Sequence, residues 1–310
     1  MDRNPLLVVG SVALDSIKTP YGQVEKAVGG SAVFFSAAAC AMSPVAAIGV
    51  VGEDYPMEKL ENLKERGVDL TEIKQIAGSS FFWSGEYSEN FESRETLVTE
   101  LGVFEDFNPL IPQRLTDSRC LFLGNIHPTV QSNVLNQMHG PQLVVCDTMN
   151  YWIDQNKKEL LKLLQRVDIL MINDSEIREL TGESNLLKAS RVVQSMGPES
   201  VVVKKGEHGA IFFGMDWSFA VPGLLLDGVI DPTGAGDSFA GGFLGYLSRK
   251  QVFTHEHYRK AMVYGTVMGS FAVESFSIDR LEIINKQDIL DRVSELNKLT
   301  SFECSTRENL

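Results

Sequence analysis

Basic clusters, paired cysteines and long apolar runs are all scarce in this sequence of 310 residues, and each scarcity removes a class of function. Lys and Arg together number 28 against 41 Asp and Glu, giving a formal charge of −13, and no stretch gathers the cations that neutralising a phosphate backbone requires. Nucleic acid is therefore not the expected partner; a small diffusing substrate fits better. The four cysteines, Cys40, Cys120, Cys146 and Cys304, form no CxxC pair. At least three sit in apolar runs, where a reduced thiol behaves as a small hydrophobe, so they read as buried thiols of a reducing compartment. No run reaches the roughly eighteen apolar residues of a membrane span, and Met1–Pro5 leads into no signal-like segment, so a cytoplasmic protein without a membrane partner is expected. Histidine is sparse as well. His255-x-His257 is the nearest approach to a ligand pattern, and it lies in a polar stretch, so no structural zinc is expected.

What is present is an alternation. Short β-branched runs at Leu6–Val9, Val45–Val51, Cys120–Leu123, Leu143–Cys146, Ile169–Ile172 and Val201–Val203 are separated by amphipathic segments. The helix candidates are Ser31–Met42, Pro56–Arg66, Thr129–Met138, Lys157–Gln165, Asp174–Leu180 and Leu186–Met196. This rhythm predicts an α/β fold: a central, mostly parallel sheet flanked by helices. Two stretches break it. Ser16–Val28 and Ser79–Leu101 carry short, partly polar alternating patterns without a helix between them, and together they predict a small separate sheet that covers the strand ends as a lid. The whole chain, 1–310, reads as a single domain with lid insertions at about 16–28 and 79–101. The polar tail after Leu299 is expected to fray.

The densest chemistry lies in Asp231-Pro-Thr-Gly-Ala-Gly-Asp237-Ser-Phe-Ala-Gly-Gly-Phe243, after a strand-like Gly228–Ile230 and opening an apolar helix to about Leu247. Glycine costs a helix interior about 1 kcal/mol relative to alanine, so four glycines here demand a reason. Gly234 and Gly236 would let backbone N–H groups at a helix N-terminus converge on an anion, and the later ones would permit close packing. Asp237 falls in the first turn beside that anion hole. There it could take a proton from a hydroxyl while the amides stabilise a phosphoryl group; a lone Asp would read first as a plain N-terminal helix charge, and the surrounding motif reverses that preference. A GxxxxGK[ST] loop is absent, and the GxGxxG dinucleotide pattern fails because Phe239 occupies its last position.

These residues resemble a known family, the ribokinase-like or PfkB carbohydrate and nucleoside kinases. Asp231–Phe239 is similar to the family's C-terminal signature, and Val28-Gly29-Gly30-Ser-Ala to its N-terminal one, with the likeness covering roughly residues 6–290. The resemblance implies ATP and Mg²⁺, Asp237 as the catalytic base, and Gly234, Ala235 and Gly236 as suppliers of anion-hole amides. It likens Asn173-x-x-Glu176 to the element that organises Mg²⁺ and its waters, although the same spacing is also that of a helix capping box. Lys204-x-Gly206-x-x-Gly209 resembles a segment beside the nucleotide, and equally an ordinary hairpin turn. Asp231 and Thr233 match positions where relatives hold a monovalent cation such as K⁺. Asp15, with Gly29 and Gly30, matches the acceptor end.

At that end the sequence departs from the family. Ribokinases and fructokinases often carry asparagines where this chain has Ala13 and Phe34, so two sugar-recognising amides are missing. Asn125 and the lid residues Trp83, Tyr87 and Arg94 are the substitute candidates, Trp83 either stacking on a ring or base or merely packing in its sheet. The expected function is ATP-dependent phosphorylation of a sugar or polyol hydroxyl. The alternatives are a nucleoside kinase, favoured by Phe34, Trp83 and the lost amides, and a non-catalytic metabolite-binding regulator, which would have no need to keep Asp237. A homodimer through the lid sheets is left open.

Overall fold

The computed structural model describes residues 4–91 and 93–301; Cys304 and the end of the polar tail lie outside the described residues. The chain begins a main sheet with β1 (Leu6–Val9) and leaves it for a hairpin of β2 (Ala13–Thr19) and β3 (Gly22–Gly29). It returns for β4 (Val45–Val51) and β5 (Val68–Gln75), then leaves again for β6 (Phe81–Tyr87) and β7 (Arg94–Glu100). β8 (Cys120–Leu123), β9 (Leu143–Asp147), β10 (Ile169–Asn173), β11 (Ser200–Lys204), β12 (Ala210–Phe213) and β13 (Ser218–Val221) complete it. The main sheet has nine strands in the order β13-β12-β11-β10-β9-β8-β1-β4-β5. All its pairings are parallel except those of β12, which runs against both neighbours. The two excursions join as a second, four-stranded sheet, β3-β2-β6-β7, with β2 and β6 parallel between two hairpins.

The main strands are apolar on both faces because helices cover both. Alternate residues divide accordingly: Leu6, Val8 and Phe122 face one core layer, and Leu7, Val9, Leu121 and Leu123 the other. The first layer holds the helices Ser31–Ala39, Ala235–Leu247 and His255–Ala272, and Phe35 stacks on Phe122 of the sheet with ring centroids 4.5 Å apart. Burying each such ring contributes roughly 1.5–3 kcal/mol. These helices approach closely. A Cβ at Gly241 would lie 2.4 Å from the Phe35 carbonyl oxygen, and one at Gly242 2.5 Å from that of Tyr264, so the later glycines of the motif are required by packing.

Some elements differ from the sequence reading. Gly228–Ile230 is not a strand; the amides of Ile230 and Asp231 donate to the Val273 carbonyl, at 2.8 and 3.3 Å, meeting the need of a helix C-terminus for donors. Pro56–Arg66 divides into a 3₁₀ turn at Met57–Leu60 and a short helix at Glu61–Glu65. The helix from Ser31 ends at Ala39, short of Met42, whereas the last helix carries on past Leu299 to Thr300. No helix among the described residues is long and apolar enough to cross a membrane.

Candidate active site

In the main sheet, strand order reverses where β1 lies between β8 and β4, and parallel sheets leave a crevice at the carboxyl ends of the strands beside such a point. Along that edge β9 ends on Asp147, β10 on Asn173 and β11 on Lys204. Met171 pairs with Asp147 and Asn173 with Lys204, so the three side chains share one face of the sheet, with Asp147 two residues short of the other two. The N-terminus of the Ala235–Leu247 helix closes on them, and the lid sheet stands above.

Gly234 caps that helix with φ 74°, the left-handed region that glycine enters without steric cost. A Cβ there would lie 2.3 Å from the Phe34 ring, which is 2% exposed and packed beneath the loop. The Ala235 amide donates to the Pro232 carbonyl at 3.2 Å, whereas the Gly234 and Gly236 amides have no protein acceptor among the described residues. Two amides at a helix N-terminus are thus open to an anion. A Cβ at Gly236 would sit 2.9 Å from Lys204 Nζ, which brings a buried cation against the same turn.

The charges form a cluster. Lys204 Nζ donates to Asp147 Oδ2 at 2.9 Å, both side chains being largely buried. Burial works against the ammonium, but Asp147 and Glu176 outweigh it and raise the Lys204 pKa. Loss of hydration, then repulsion from Asp147, pushes Asp237 up to about 7, with Lys204 opposing. Burial likewise raises Glu176 to about 7 against the pull of Lys204. Asp15 also rises to about 7, first through burial and then through the charges of Asp231 and Asp237. The Asp15 carboxyl presses on Gly29, where a Cβ would lie 2.0 Å from Oδ2. Gly30 opens the Ser31–Ala39 helix with φ 94°. Asp15 and the helix N-terminus are therefore within electrostatic reach of each other.

The remaining candidates occupy more varied settings. Asn173 and Glu176 form a complete capping box: Asn173 Oδ1 accepts from the Ser175 and Glu176 amides, and Glu176 Oε2 accepts from the Asn173 amide. Asp231 Oδ1 accepts from the Thr233 amide at 2.9 Å, and its Oδ2 is buried without a partner among the described residues. Gly206 and Gly209 bracket a 3₁₀ turn in the β11–β12 hairpin, with φ 56° and 84°. Asn125 Oδ1 accepts from Trp152 Nε1 at 2.9 Å. Trp83 carries the Arg94 guanidinium 5.1 Å above its ring and donates to Thr96 Oγ1. Burial raises the Asp15, Tyr87 and Glu176 pKa values and Arg94 partly offsets that rise in each, while Tyr87 reaches Thr233. Asp147 was not among the sequence candidates. Its signal was an acidic residue at the carboxyl end of an apolar parallel strand, the place where such sheets carry their chemistry.

The divalent metal that the family resemblance implies must fit this donor set. Among the described residues no group of three His, Cys, Asp or Glu side chains could hold an ion outright. Glu176, with one oxygen committed to the cap and its carboxyl raised by burial, suits a hydrated ion carried largely by phosphate oxygens and water.

A nine-stranded α/β sheet, a glycine-built helix start beside buried charges and a β-sheet lid have clear counterparts among known proteins. Residues 134–281 match the profile of the pfkB family carbohydrate kinases. The chain is 30% identical over 251 residues to a cytidine kinase of Thermococcus kodakarensis, covering 79% of this chain and 88% of that one. It is 25% identical over 279 residues to a ribokinase of Haemophilus influenzae, covering 81% of this chain and 88% of that one. The nucleoside kinase structure of Methanocaldococcus jannaschii superposes with a TM-score of 0.72 at 19% identity, covering 94% of this chain and 99% of that one. The protein is a phosphotransferase with an alcohol group as acceptor. It belongs to the pfkB, or ribokinase-like, family of carbohydrate and nucleoside kinases, and membership implies ATP and a divalent metal ion.

Proposed function

We propose that this enzyme phosphorylates a ribose hydroxyl of a nucleoside at the expense of ATP, with Asp237 as the general base. The carrying observation is the position of Asp237: the first turn of a helix whose Gly234 and Gly236 amides are open, beside Lys204, with its carboxyl raised to about 7. A carboxylate with such a pKa is about half ionised at pH 7 and largely ionised above it, yet basic enough to take a proton as an oxygen–phosphorus bond forms. In the transfer, the acceptor hydroxyl gives its proton to Asp237 and its oxygen bonds the γ-phosphorus. The bond from that phosphorus to the bridging oxygen breaks, and ADP leaves with the electron pair. The Gly234 and Gly236 amides and the Lys204 ammonium would hold the charge on the transferring group. When bound, Mg²⁺ would supply further neutralisation of phosphate charge, and Asn173 and Glu176 are the residues that would hold it through water. Gly206 and Gly209 would border the nucleotide. The orphan Oδ2 of Asp231, with Thr233, would suit a monovalent cation such as K⁺.

A nucleoside is favoured over a free sugar by the acceptor end. Asp15 remains to bind ribose hydroxyls, but the positions of the two missing asparagines hold buried Ala13 and Phe34, so a bare sugar finds fewer donors. The lid offers Trp83 and Arg94, a flat surface and a cation of the kind that grips a base. The cytidine kinase relative, matched over 88% of its length, points the same way. The test is a panel of pyrimidine and purine ribonucleosides, ribose, fructose and inositol, each with ATP and Mg²⁺. The highest kcat/KM is expected for a nucleoside; a free sugar turned over tenfold better than every nucleoside would contradict this reading.

A further inference from the structure

Lys204 is an ammonium with carboxylates on more than one side. Asp147 Oδ2 holds it at 2.9 Å, while the other oxygen, Oδ1, accepts from the Thr148 amide at 2.9 Å. The Asp147 carbonyl is tied to Gln131 Nε2 at 3.1 Å. Asp147 is thus fixed at its strand end, 5% exposed, and cannot follow a departing partner. Lys204 has the longer side chain of the pair, and its Nζ already abuts the Gly236 position, one residue before Asp237. A buried ammonium seeks the nearest carboxylate. Without Asp147 the carboxylates left to draw it are Glu176 and Asp237, the latter being the group that must stay basic.

We propose that Asp147 is a positioning residue: it holds the Lys204 ammonium at the anion-hole end of the site and keeps it from pairing with Asp237. The arrangement serves both tasks of the site, because the cation stands where phosphoryl charge gathers while the base keeps its affinity for a proton. The inference rests on the reading of Asp237 as base. The groups around Asp237 come from several elements: Asp147 on β9, Lys204 on β11 and Asp15 on β2. Beyond these, Glu176 acts on Lys204, and Arg94 of β7 and Asp231 act on Asp15. Among them Asp147 raises Asp237 and Lys204 lowers it, so the two should be separable by opposite substitutions.

The experiment follows the Asp237 carboxyl by carbon-13 NMR in the full-length, aspartate-labelled enzyme without nucleotide, its signal assigned by loss in Asp237→Asn. The parallel readout is the pH profile of kcat/KM. Asp147→Asn should lower the Asp237 titration by about one to three pH units, the effect of an opposite charge at close range. Its kcat should fall at least tenfold with KM for ATP unchanged or lower, a split that general loosening of the site would not give. Lys204→Met should move the same titration upward, and Asp147→Glu should recover most of the kcat lost in Asp147→Asn. If Asp147→Asn leaves the Asp237 titration in place or raises it, the inference is overturned. Should that variant fail to fold, an unmoved or lowered titration in Lys204→Met overturns it equally. If Asp237→Asn itself retains turnover, the base assignment fails, whatever Asp147 does to the titration.

Discussion

The Tyr87 hydroxyl of the lid lies 3.0 Å from the Thr233 hydroxyl of the helix-capping loop, joining residues 146 positions apart in the chain. Tyr87 is the last residue of β6 and pairs with Arg94 at the start of β7, so one hydrogen bond anchors the lid edge that also carries the guanidinium over Trp83. The lid is thereby joined to the loop before the Ala235–Leu247 helix through this hydroxyl pair. Such a bond contributes about 1 kcal/mol. Tyr87→Phe should therefore lower the melting temperature by about 2 °C and, by freeing the lid edge, raise KM for the acceptor, as a thermal melt and steady-state kinetics would show.

Gly234 has a steric and a conformational reason to be glycine, its left-handed φ and the Phe34 ring 2.3 Å from any Cβ. Gly234→Ala should displace the loop, lowering stability by roughly 1–3 kcal/mol as overpacking does and cutting kcat by at least tenfold. Adding Phe34→Leu should return part of the stability, since the ring is the obstacle. Equal losses in the single and double variants would show that the backbone conformation alone decides.

Activity should track the ionisation of Asp237. Its pKa is raised to about 7, and a base must be deprotonated, so kcat/KM should fall tenfold per unit as pH drops below that value. A rate flat from pH 8 to 5 would be incompatible with a carboxylate base in this setting.

Stability should move the other way. Asp15 holds its proton more tightly in the fold than in the unfolded chain, where its ordinary value is 3.8, and its folded value is about 7. Its favourable contribution is complete below pH 3.8 and is lost as pH rises through 7, because the carboxylate must then ionise without water. Asp15→Asn should therefore melt higher than the wild type at pH 8, by about 2–4 °C for each kcal/mol recovered, and no higher at pH 3. Acceptor turnover should be lost in the same variant. An asparagine protein that melts lower at pH 8 would show that the carboxylate makes compensating contacts.

The features that local chemistry dictates were legible in the sequence. The glycines around Asp237 announce a helix start and close packing, and the structure supplies both, with φ 74° at Gly234 and carbonyl oxygens against Gly241 and Gly242. Asn173 and Glu176 carry the capping-box spacing, and both bonds are present. The lid sheet followed from two stretches of period-two pattern with no helix between them. What escaped depends on neighbours distant in sequence. Asp147 gains meaning only when β9 lies two strands from β11 and Lys204 turns toward it. Phe34 offered itself as acceptor surface, but the helix at Ala235 buries it beneath Gly234. Gly228–Ile230 has a strand's composition, yet the carbonyl at the end of another helix claims its amides.

The central claim is that Asp237 takes the proton from the acceptor hydroxyl, and single-turnover phosphorylation by Asp237→Asn with saturating ATP, Mg²⁺ and the preferred nucleoside tests it most directly. The substitution keeps the size of the side chain and leaves the Gly234 and Gly236 amides untouched. Nucleotide affinity should therefore change little, while the rate of transfer falls by about 10²–10⁴, the usual contribution of a general base. Transfer within threefold of the wild-type rate would contradict the account and return Asp237 to the role of a helix N-terminal charge.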